Sequence, residues 1–213
     1  MRTAKTVLTV IQERGKQKKP IERVYKLLFN RELYLNAYAK LYPNNGAMTK
    51  GVTNETVDGM SIQKIDRMIE ILREEKYQWK PARREYIKKK NGKKRPLGIP
   101  VWGDKVLQEV MRQILEAYYE PQFSEHSHGF RPNRGCHTAL QEIQVWKGTR
   151  WFIEGDISQY FDTIDHKILL EILARNIHDG RFIRLVSNML EAGYLEEWKF
   201  KQTISGVPQG GVI

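Results

Sequence analysis

The chain has 213 residues, enough for one large domain or two small ones with a hydrophobic core. Its hydrophobic share of 40% and aromatic share of 10% exclude a disordered chain, and no apolar run approaches the roughly 18 residues of a membrane span. The single cysteine, Cys136, excludes an intramolecular disulfide, and we expect a cytoplasmic protein.

The net charge of +11 is concentrated in the N-terminal half of the chain. Residues 1–100 carry 24 Lys and Arg against 10 Asp and Glu, a net charge of +14, whereas residues 101–213 carry 12 against 15, a net charge of −3. This division favours a nucleic-acid-binding surface beside a cation-binding site. A protein whose surface charge is merely uneven would have the same totals.

The first predicted elements are helices over residues 1–40, where apolar residues recur at spacings of three and four. Pro20 is placed to start the second of these helices. Residues 41–60 are rich in Gly, Asn and Thr and predict an ordered loop. Ser61 then predicts the N-cap of an amphipathic helix that runs to about Lys76.

A β-hairpin is predicted over residues 83–100, with its turn at Asn91-Gly92, because this dipeptide is the strongest short-range hairpin signal. Apolar spacing predicts a helix over 104–119. The hairpin carries eight basic residues, which suit a grip on a nucleic-acid backbone but also fit a merely solvated surface. They are Arg83, Arg84, Lys88, Lys89, Lys90, Lys93, Lys94 and Arg95.

The second half predicts a polar loop, a short helix over 137–147 and an apolar strand over 151–157. Asp165 predicts the cap of a further helix, another helix covers about 180–192, and a strand is predicted over 198–204 before a Gly-Pro-Gln-Gly turn. Segregated helices and hairpins predict the α+β class.

Asp156 is placed near the end of the predicted strand over 151–157, and an aromatic residue, Phe161, follows five positions later. A carboxylate at the end of a buried strand suits Mg²⁺, which prefers hard oxygen ligands. Instead of binding a metal, Asp156 could cap the following turn. Phe161 by itself fits an ordinary position in the hydrophobic core. Glu154 shares the face of Asp156 and is a weaker second candidate.

The polar loop over 124–136 contains an aromatic residue beside two arginines, which suits contact with a template strand by stacking and phosphate pairing. The residues concerned are Phe130, Arg131, Pro132 and Arg134. A competing hypothesis is a metal site, but its spacing matches no standard zinc pattern. Its candidate ligands are His126, His128, Cys136 and His137.

Five segments resemble, in order, the motifs of group II intron reverse transcriptases, the maturases. They are NNGAMTKGVTNETVDGMS, KKKNGKKRPLGIP, HSHGFRPNRGCHTAL, WFIEGDISQYFDTIDH and SGVPQGGVI. The resemblance covers nearly the whole chain. One departure is GVTNETVDG, where many relatives have GVDG, and the role of Thr53 therefore stays open.

The resemblance implies an active site that uses Mg²⁺ and dNTPs. Asp156 would be one of three metal-binding aspartates, with the backbone carbonyl of Ile157 as a further ligand. Phe161 would be the steric gate that excludes a 2′-hydroxyl. The remaining dNTP-binding residues would be Lys89, Arg95 and Gln209, with Pro208 and neighbouring glycines shaping the last turn.

The resemblance also implies an organisation: an N-terminal helical extension over 1–40, fingers over 41–150 and part of a right-hand palm over 151–213. The aromatic-x-Asp-Asp motif of such enzymes is not present in the sequence. We therefore expect this chain to be an N-terminal part that is inactive alone, with self-association or a C-terminal half at an open palm edge.

The partners implied are intron RNA, an RNA template-primer, dNTP and a DNA target. Two hypotheses follow: an RNA-directed DNA polymerase that also acts as a splicing maturase, and an RNA-binding fragment without catalysis. A bacterial reverse transcriptase of the retron or diversity-generating type is the alternative, which the long basic N-terminus and the GFRP segment disfavour.

Overall fold

The computed structural model describes residues 3–88, 92, 94–207 and 212. These residues mix helices and short strands, so the α+β prediction is confirmed. The helices are α1 (Ala4–Lys16), α2 (Arg31–Leu41), α3 (Ile62–Arg73), α4 (Trp102–Tyr119), α5 (Cys136–Gln144), α6 (Tyr160–Thr163), α7 (His166–Ala174) and α8 (Gly180–Leu190). The strands are β1 (Ile21–Glu22), β2 (Ala82–Lys88), β3 (Lys94–Ile99), β4 (Ile177–His178), β5 (Tyr194–Glu196) and β6 (Lys199–Lys201).

Helix α4 is the centre of the core, and α1 and α2 pack against it. One face of α4 is fully buried, from Val106 to Ile114. Helix α1 approaches α4 closely because Gly15 has no side chain, and a Cβ atom there would collide with the backbone carbonyl of Tyr118. None of the described helices combines the length and the apolar character needed to cross a bilayer.

Two predicted N-caps begin their helices as expected. The Ser61 side chain accepts a hydrogen bond from the Lys64 amide at 3.2 Å at the start of α3. The Asp165 carboxylate accepts one from the Ile168 amide at 3.0 Å at the start of α7. Each cap satisfies an amide that has no partner inside its helix.

The larger sheet has four strands in the order β3-β2-β5-β6. The predicted hairpin is confirmed: β2 and β3 pair antiparallel, with Lys88 opposite Lys94 at the distal end. Gly92 has the positive φ of 78° that a tight turn demands, and Asn91 lies outside the described residues. Strand β5 joins β2 in parallel, which attaches the hairpin to the C-terminal part of the chain.

Two sequence predictions are wrong. The strand over 151–157 does not form: this segment has no regular structure and pairs with no other described segment. Its apolar composition favours a strand, but a strand needs a neighbour for its backbone hydrogen bonds. Pro20 does not start a helix, because the Ile21 amide instead donates to the Asn176 carbonyl at 2.8 Å and leads into β1, which pairs with β4.

Candidate active-site cleft

A cavity of about 480 Å³ lies between the base of the β2–β3 hairpin and the segment 202–207. The hairpin contributes Arg84, Pro96 and Gly98 to its wall. The opposite wall comes from Asp162 and the segment 202–207, so residues far apart in sequence meet in one cleft. We call this cavity the hairpin cleft.

The hairpin cleft is held together on one side by three hydrogen bonds between two of the sequence motifs. The Val207 amide donates to the Phe161 carbonyl at 2.8 Å, and the Gly206 amide donates to the Ile164 carbonyl at 2.8 Å. The His166 Nε2 atom lies 2.7 Å from the Gly206 carbonyl oxygen. Since a carbonyl oxygen only accepts, the proton of His166 is on Nε2.

Gly206 is required at this contact for two independent reasons. Its φ is +80°, a backbone conformation that residues with a Cβ atom rarely adopt. A Cβ atom there would also lie 2.8 Å from the carbonyl oxygens of both Phe161 and Asp162. Pro208, Gln209, Gly210 and Gly211, the rest of the predicted turn, lie outside the described residues.

The predicted gate residue Phe161 is 42% exposed, and its ring contacts Tyr160 edge-on at a centroid distance of 5.6 Å. The ring is thus not part of the hydrophobic core, whereas the backbone of Phe161 is fixed by Val207. An accessible ring on a fixed backbone is compatible with a steric role, which stays a prediction.

Asp156 and Ile157 lie in the irregular, exposed segment that was predicted as a strand. No hydrogen bond or ion pair engages the Asp156 carboxylate among the described residues, so it is available to a hard cation. Nowhere in the described part of the chain do three His, Cys, Asp or Glu residues come close enough to hold a metal ion. The role of Asp156 as a Mg²⁺ ligand therefore stays a prediction.

The basic residues of the hairpin divide into two groups. At its base, the Arg83 Nε atom donates to the Lys50 carbonyl at 3.1 Å, and the Arg84 guanidinium lies 3.6 Å from the centre of the Tyr194 ring. At its distal end, Lys88 and Lys94 are exposed. Arg95 is also exposed, on β3, whereas Lys89, Lys90 and Lys93 lie outside the described residues.

Sequence reasoning missed Asp104, a buried carboxylate in the wall of the hairpin cleft. It accepts hydrogen bonds from the Tyr77 hydroxyl at 2.6 Å and from the Lys80 amide at 3.0 Å. Burial is the main cause that raises the pKa of Asp104 to about 6, against the opposing effect of these two hydrogen bonds. An acid in the first turn of a helix is usually exposed, so the sequence carries no signal for its burial.

The structure gives different positions to the residues of the predicted template-binding loop. Phe130 is fully exposed with a positive φ of 55°, and its ring is free to stack. Arg131 instead has a side chain only 8% exposed, 2.9 Å from Glu120. Its guanidinium also donates to the carbonyls of Ser124 at 2.6 Å and Ser127 at 2.8 Å, so it holds the loop together.

The other two residues of this prediction differ as well. Pro132 is exposed, and Arg134 is half-buried and donates to the Glu125 carbonyl.

Two histidines nearby contact one carboxylate: His126 and His128 both bind Glu142, the latter at 2.7 Å. The hydrogen bond from His128 is the main cause that lowers the pKa of Glu142. These contacts attach the loop to α5, and the alternative zinc site receives no support from the described residues.

Comparison with known proteins agrees with the motifs. Residues 87–213 match the family described as reverse transcriptase (RNA-dependent DNA polymerase). The chain is 49% identical over 193 residues to the group II intron-encoded protein LtrA of Lactococcus lactis subsp. cremoris, covering 90% of this chain and 32% of that protein. It is 46% identical over 218 residues to an uncharacterized 91 kDa protein in the cob intron of Schizosaccharomyces pombe, covering 99% and 27%.

A third relative, the protein YkfC of Escherichia coli, is 39% identical over 206 residues, which cover 91% of this chain and 53% of that protein. The chain thus spans about a third of the length of LtrA and about half of YkfC. Two of these three relatives are named after introns. Because the family match covers more than half of the chain, the chain belongs to the reverse transcriptase family.

Proposed function

We propose that the chain is an N-terminal part of an RNA-directed DNA polymerase of the group II intron type, which also binds its intron RNA as a splicing maturase. One observation carries the proposal. The hydrogen bonds from Gly206 and Val207 to the segment 161–166 bring two motifs of the resemblance to one wall of the hairpin cleft, and the basic hairpin forms the other wall.

Within this proposal, residues 1–40 form the N-terminal extension, residues 41–150 the fingers, and residues 151–213 part of the palm. The parallel pairing of β5 with β2 gives the two larger parts a shared sheet. The greater length of the relatives leaves room for the rest of a palm. Strands from that part would give the segment 151–157 the pairing partners that it lacks among the described residues.

The proposed active site uses Asp156 and the carbonyl of Ile157 to hold Mg²⁺, which would stabilise the attacking and leaving oxygens of nucleotidyl transfer. Phe161 would exclude a 2′-hydroxyl by direct contact with its exposed ring. Lys89 and Arg95 would bind the incoming triphosphate, since lysine offers a mobile point charge and arginine a planar fork. Gln209 would contact the incoming nucleotide and the template base.

RNA binding is proposed for the distal hairpin and the exposed tip of the 124–136 loop. Lys88 and Lys94 are exposed at the end of the hairpin, and Phe130 projects from the loop. Lysines bind backbone phosphates without regard to sequence, and an exposed aromatic ring stacks on unpaired bases. The N-terminal extension is a second candidate for RNA contact because its sequence carries Arg2, Lys5, Arg14, Lys16, Lys18, Lys19 and Arg23.

The experiment that tests RNA binding measures the affinity of the chain for a structured group II intron RNA across a salt series. A variant in which the hairpin lysines become alanine should bind more weakly. Its plot of the logarithm of the affinity against the logarithm of the salt concentration should also be flatter, with a slope smaller in magnitude by about 0.7 to 0.9 for each lost phosphate contact. The substituted residues are Lys88, Lys89, Lys90, Lys93 and Lys94.

The matched control replaces the same five residues with arginine, which keeps the charge and should keep the salt slope of the wild type. Equal slopes for all three proteins would contradict the proposal that the hairpin binds RNA. A retron RNA of similar length distinguishes the alternative family members, because tighter binding to it would favour the retron type. Two intron-related names among the relatives support the group II type.

Catalysis is tested in a longer protein that contains this chain together with a complete palm. Asp156→Asn should abolish template-directed dNTP incorporation and leave RNA affinity unchanged, because the amide keeps the shape of the carboxylate but is a poor Mg²⁺ ligand. Asp165→Asn is the matched control, since Asp165 caps α7 and asparagine is an equally good cap. Incorporation by the Asp156→Asn protein at the wild-type rate would refute the role of Asp156.

A further inference from the structure

Residues 206–212, which we call the PQG segment, are attached to the rest of the chain near both ends. Near the first end, the His166 Nε2 atom lies 2.7 Å from the Gly206 carbonyl oxygen. At the other end, the Val212 amide donates a hydrogen bond to the Gln108 Oε1 atom at 3.1 Å. Two side chains from different helices, α7 and α4, therefore hold one short segment.

Gln108 is a polar residue on α4, the central helix of the core. It is 7% exposed, and Leu107 and Val110 beside it are completely buried. A buried amide is costly unless its polar atoms are bonded, so a glutamine at this position needs a partner. The Val212 amide, 104 residues away in sequence, supplies one. Because a backbone N–H only donates, the oxygen of the Gln108 side chain must face Val212.

His166 reaches the PQG segment from the first turn of α7, and its residue is half-buried. The Asp165 carboxylate accepts a hydrogen bond from the Ile168 amide at 3.0 Å, which fixes the start of the helix from which His166 projects. The amides of Gly206 and Val207 also hold this end, through bonds between backbone atoms. His166 thus adds a side-chain contact that a substitution can remove while the donors and acceptors of the backbone bonds stay in place.

The chain that leads into the PQG segment passes between two cavities. Residues 202–205 form neither helix nor strand. They line the hairpin cleft and also an open cavity of about 710 Å³ beside α7, to which His166 contributes. A strip of chain that borders two cavities lacks the close packing that would determine its path. The contacts at Gly206 therefore determine where the PQG segment begins.

We propose that His166 and Gln108 are positioning residues of the nucleotide site, an inference that rests on the proposed function. They would act through the PQG segment, whose two ends they hold, and would fix the position of Gln209 between those ends. The Val207 amide donates to the Phe161 carbonyl at 2.8 Å, so a shift of the segment would also move the proposed gate. Nucleotide affinity and selection of the sugar would both depend on these two side chains.

The contacts themselves are tested on the dilute 213-residue chain by amide hydrogen exchange, measured by NMR after selective labelling of glycine and valine. His166→Leu should speed exchange of the Gly206 amide, and Gln108→Met that of the Val212 amide. Each rate should rise by about threefold to tenfold, the effect of losing one hydrogen bond. His166→Gln should exchange like the wild type, because the glutamine Nε2 atom also donates. Unchanged exchange in both loss variants would overturn the proposal.

The effect on the reaction is measured in the longer protein that contains this chain together with a complete palm. His166→Leu and Gln108→Met should each raise the KM for dNTP by about threefold to tenfold and change kcat less, because they weaken nucleotide binding and leave the metal ligands in place. The preference for dNTP over rNTP should fall. His166→Gln should restore both properties. A merely structural role would lower kcat through loss of active protein and leave KM and sugar selection unchanged.

Matched controls make the same chemical changes elsewhere. His178→Leu alters an exposed histidine on β4, and Gln141→Met alters an exposed glutamine on α5. Both should keep the KM and the sugar selection of the wild type. Wild-type values in His166→Leu and Gln108→Met would overturn the proposal, as would equal defects in His166→Leu and His166→Gln. If Gln108→Met fails to fold, the two His166 variants still decide the outcome.

Failure of this inference and failure of the proposed function give different results. If the longer wild-type protein incorporates no dNTP, the proposed function is refuted and the positioning role with it, even where amide exchange shows both contacts. If the longer protein incorporates dNTP and the variants keep the kinetics of the wild type, only the positioning role is refuted.

Discussion

The Nε2 atom of His166 lies 2.7 Å from the carbonyl oxygen of Gly206, which connects the first residue of α7 to the motif that follows β6. Forty residues separate the two in sequence. Together with the amide of Gly206 on the Ile164 carbonyl, this contact determines the position of the last described turn relative to Phe161. The geometry of the proposed nucleotide site therefore depends on the backbone contacts of Gly206.

Gly206→Ala should destabilise the chain by about 2 kcal/mol or more, because alanine combines an unfavourable positive φ with a collision against two carbonyl oxygens. Urea unfolding followed by circular dichroism measures the change. Gly46→Ala is the matched control, since a Cβ atom there meets nothing within 4 Å. Equal loss of stability in the two variants would contradict the close approach at Gly206.

The buried Asp104 predicts a specific pH dependence of stability. Its folded pKa of about 6 exceeds the ordinary value of 3.8, so the folded state binds the proton more tightly than the unfolded state. The resulting stability is fully present below about pH 4 and is lost as the pH rises through about 6. A difference of about two pKa units corresponds to about 3 kcal/mol.

Asp104→Asn should remove this pH dependence, because asparagine does not titrate. The free energy of unfolding of both proteins, measured from pH 4 to pH 7, gives two curves whose difference should change by about 3 kcal/mol over this range. Absolute stabilities are not compared, because the amide also alters the hydrogen bond with the Lys80 amide. Parallel curves would show that Asp104 titrates normally.

Phe130 and Arg131 should respond to substitution in opposite ways. Phe130→Ala should weaken binding of single-stranded RNA by about tenfold and leave stability unchanged, since the ring is fully exposed and stacking on a base contributes about 1–3 kcal/mol. Arg131→Lys keeps the positive charge but loses the fork that binds Glu120 and two carbonyls, so it should cost about 2 kcal/mol of stability. Fluorescence anisotropy and thermal melting measure the two effects.

If Arg131→Lys melted like the wild type while RNA affinity fell, the arginine would bind phosphate rather than hold the loop. Sequence reasoning grouped Arg131 with Phe130 because the two are adjacent and both suit nucleic acid. The carboxylate of Glu120 that engages Arg131 belongs to the turn after α4, eleven residues earlier. A partner of this kind depends on how a loop folds back, which no local pattern records.

Features that depend on neighbouring residues were predictable. The caps of Ser61 and Asp165 involve amides only three residues away, and the hairpin whose turn includes Gly92 pairs two strands that are close neighbours in sequence. The strand over 151–157 was not predictable in the same way, because apolar composition specifies a preference and pairing specifies the structure. The burial of Asp104 likewise arises from Tyr77 and Lys80, more than twenty residues away.

We expect the 213-residue chain alone to give no processive DNA synthesis. Two-metal catalysis needs several carboxylates, and the sequence offers Asp156 without an aromatic-x-Asp-Asp motif. Primer extension with Mg²⁺, dNTPs and an RNA template measures this, with the longer protein as positive control. Measurable template-directed incorporation by the pure chain would refute the expectation and would require another set of metal ligands.

The exposed apolar segment after α5 should make the isolated chain self-associate. Trp151, Phe152 and Ile153 are 87%, 70% and 94% exposed, and their backbone pairs with no described strand. Apolar side chains beside unpaired backbone groups favour contact with another chain. The weight-average mass from light scattering should therefore rise with concentration.

A double variant, Trp151→Ser with Ile153→Ser, should shift this rise to higher concentrations. Trp198→Ser is the matched control, because Trp198 is 94% exposed between β5 and β6, two strands that already pair with each other. The Trp198→Ser protein should associate like the wild type if association requires the unpaired backbone around 151–153 in addition to exposed apolar side chains. A monodisperse monomer at high concentration would contradict association through this segment, and an equal effect of Trp198→Ser would assign it to general surface hydrophobicity.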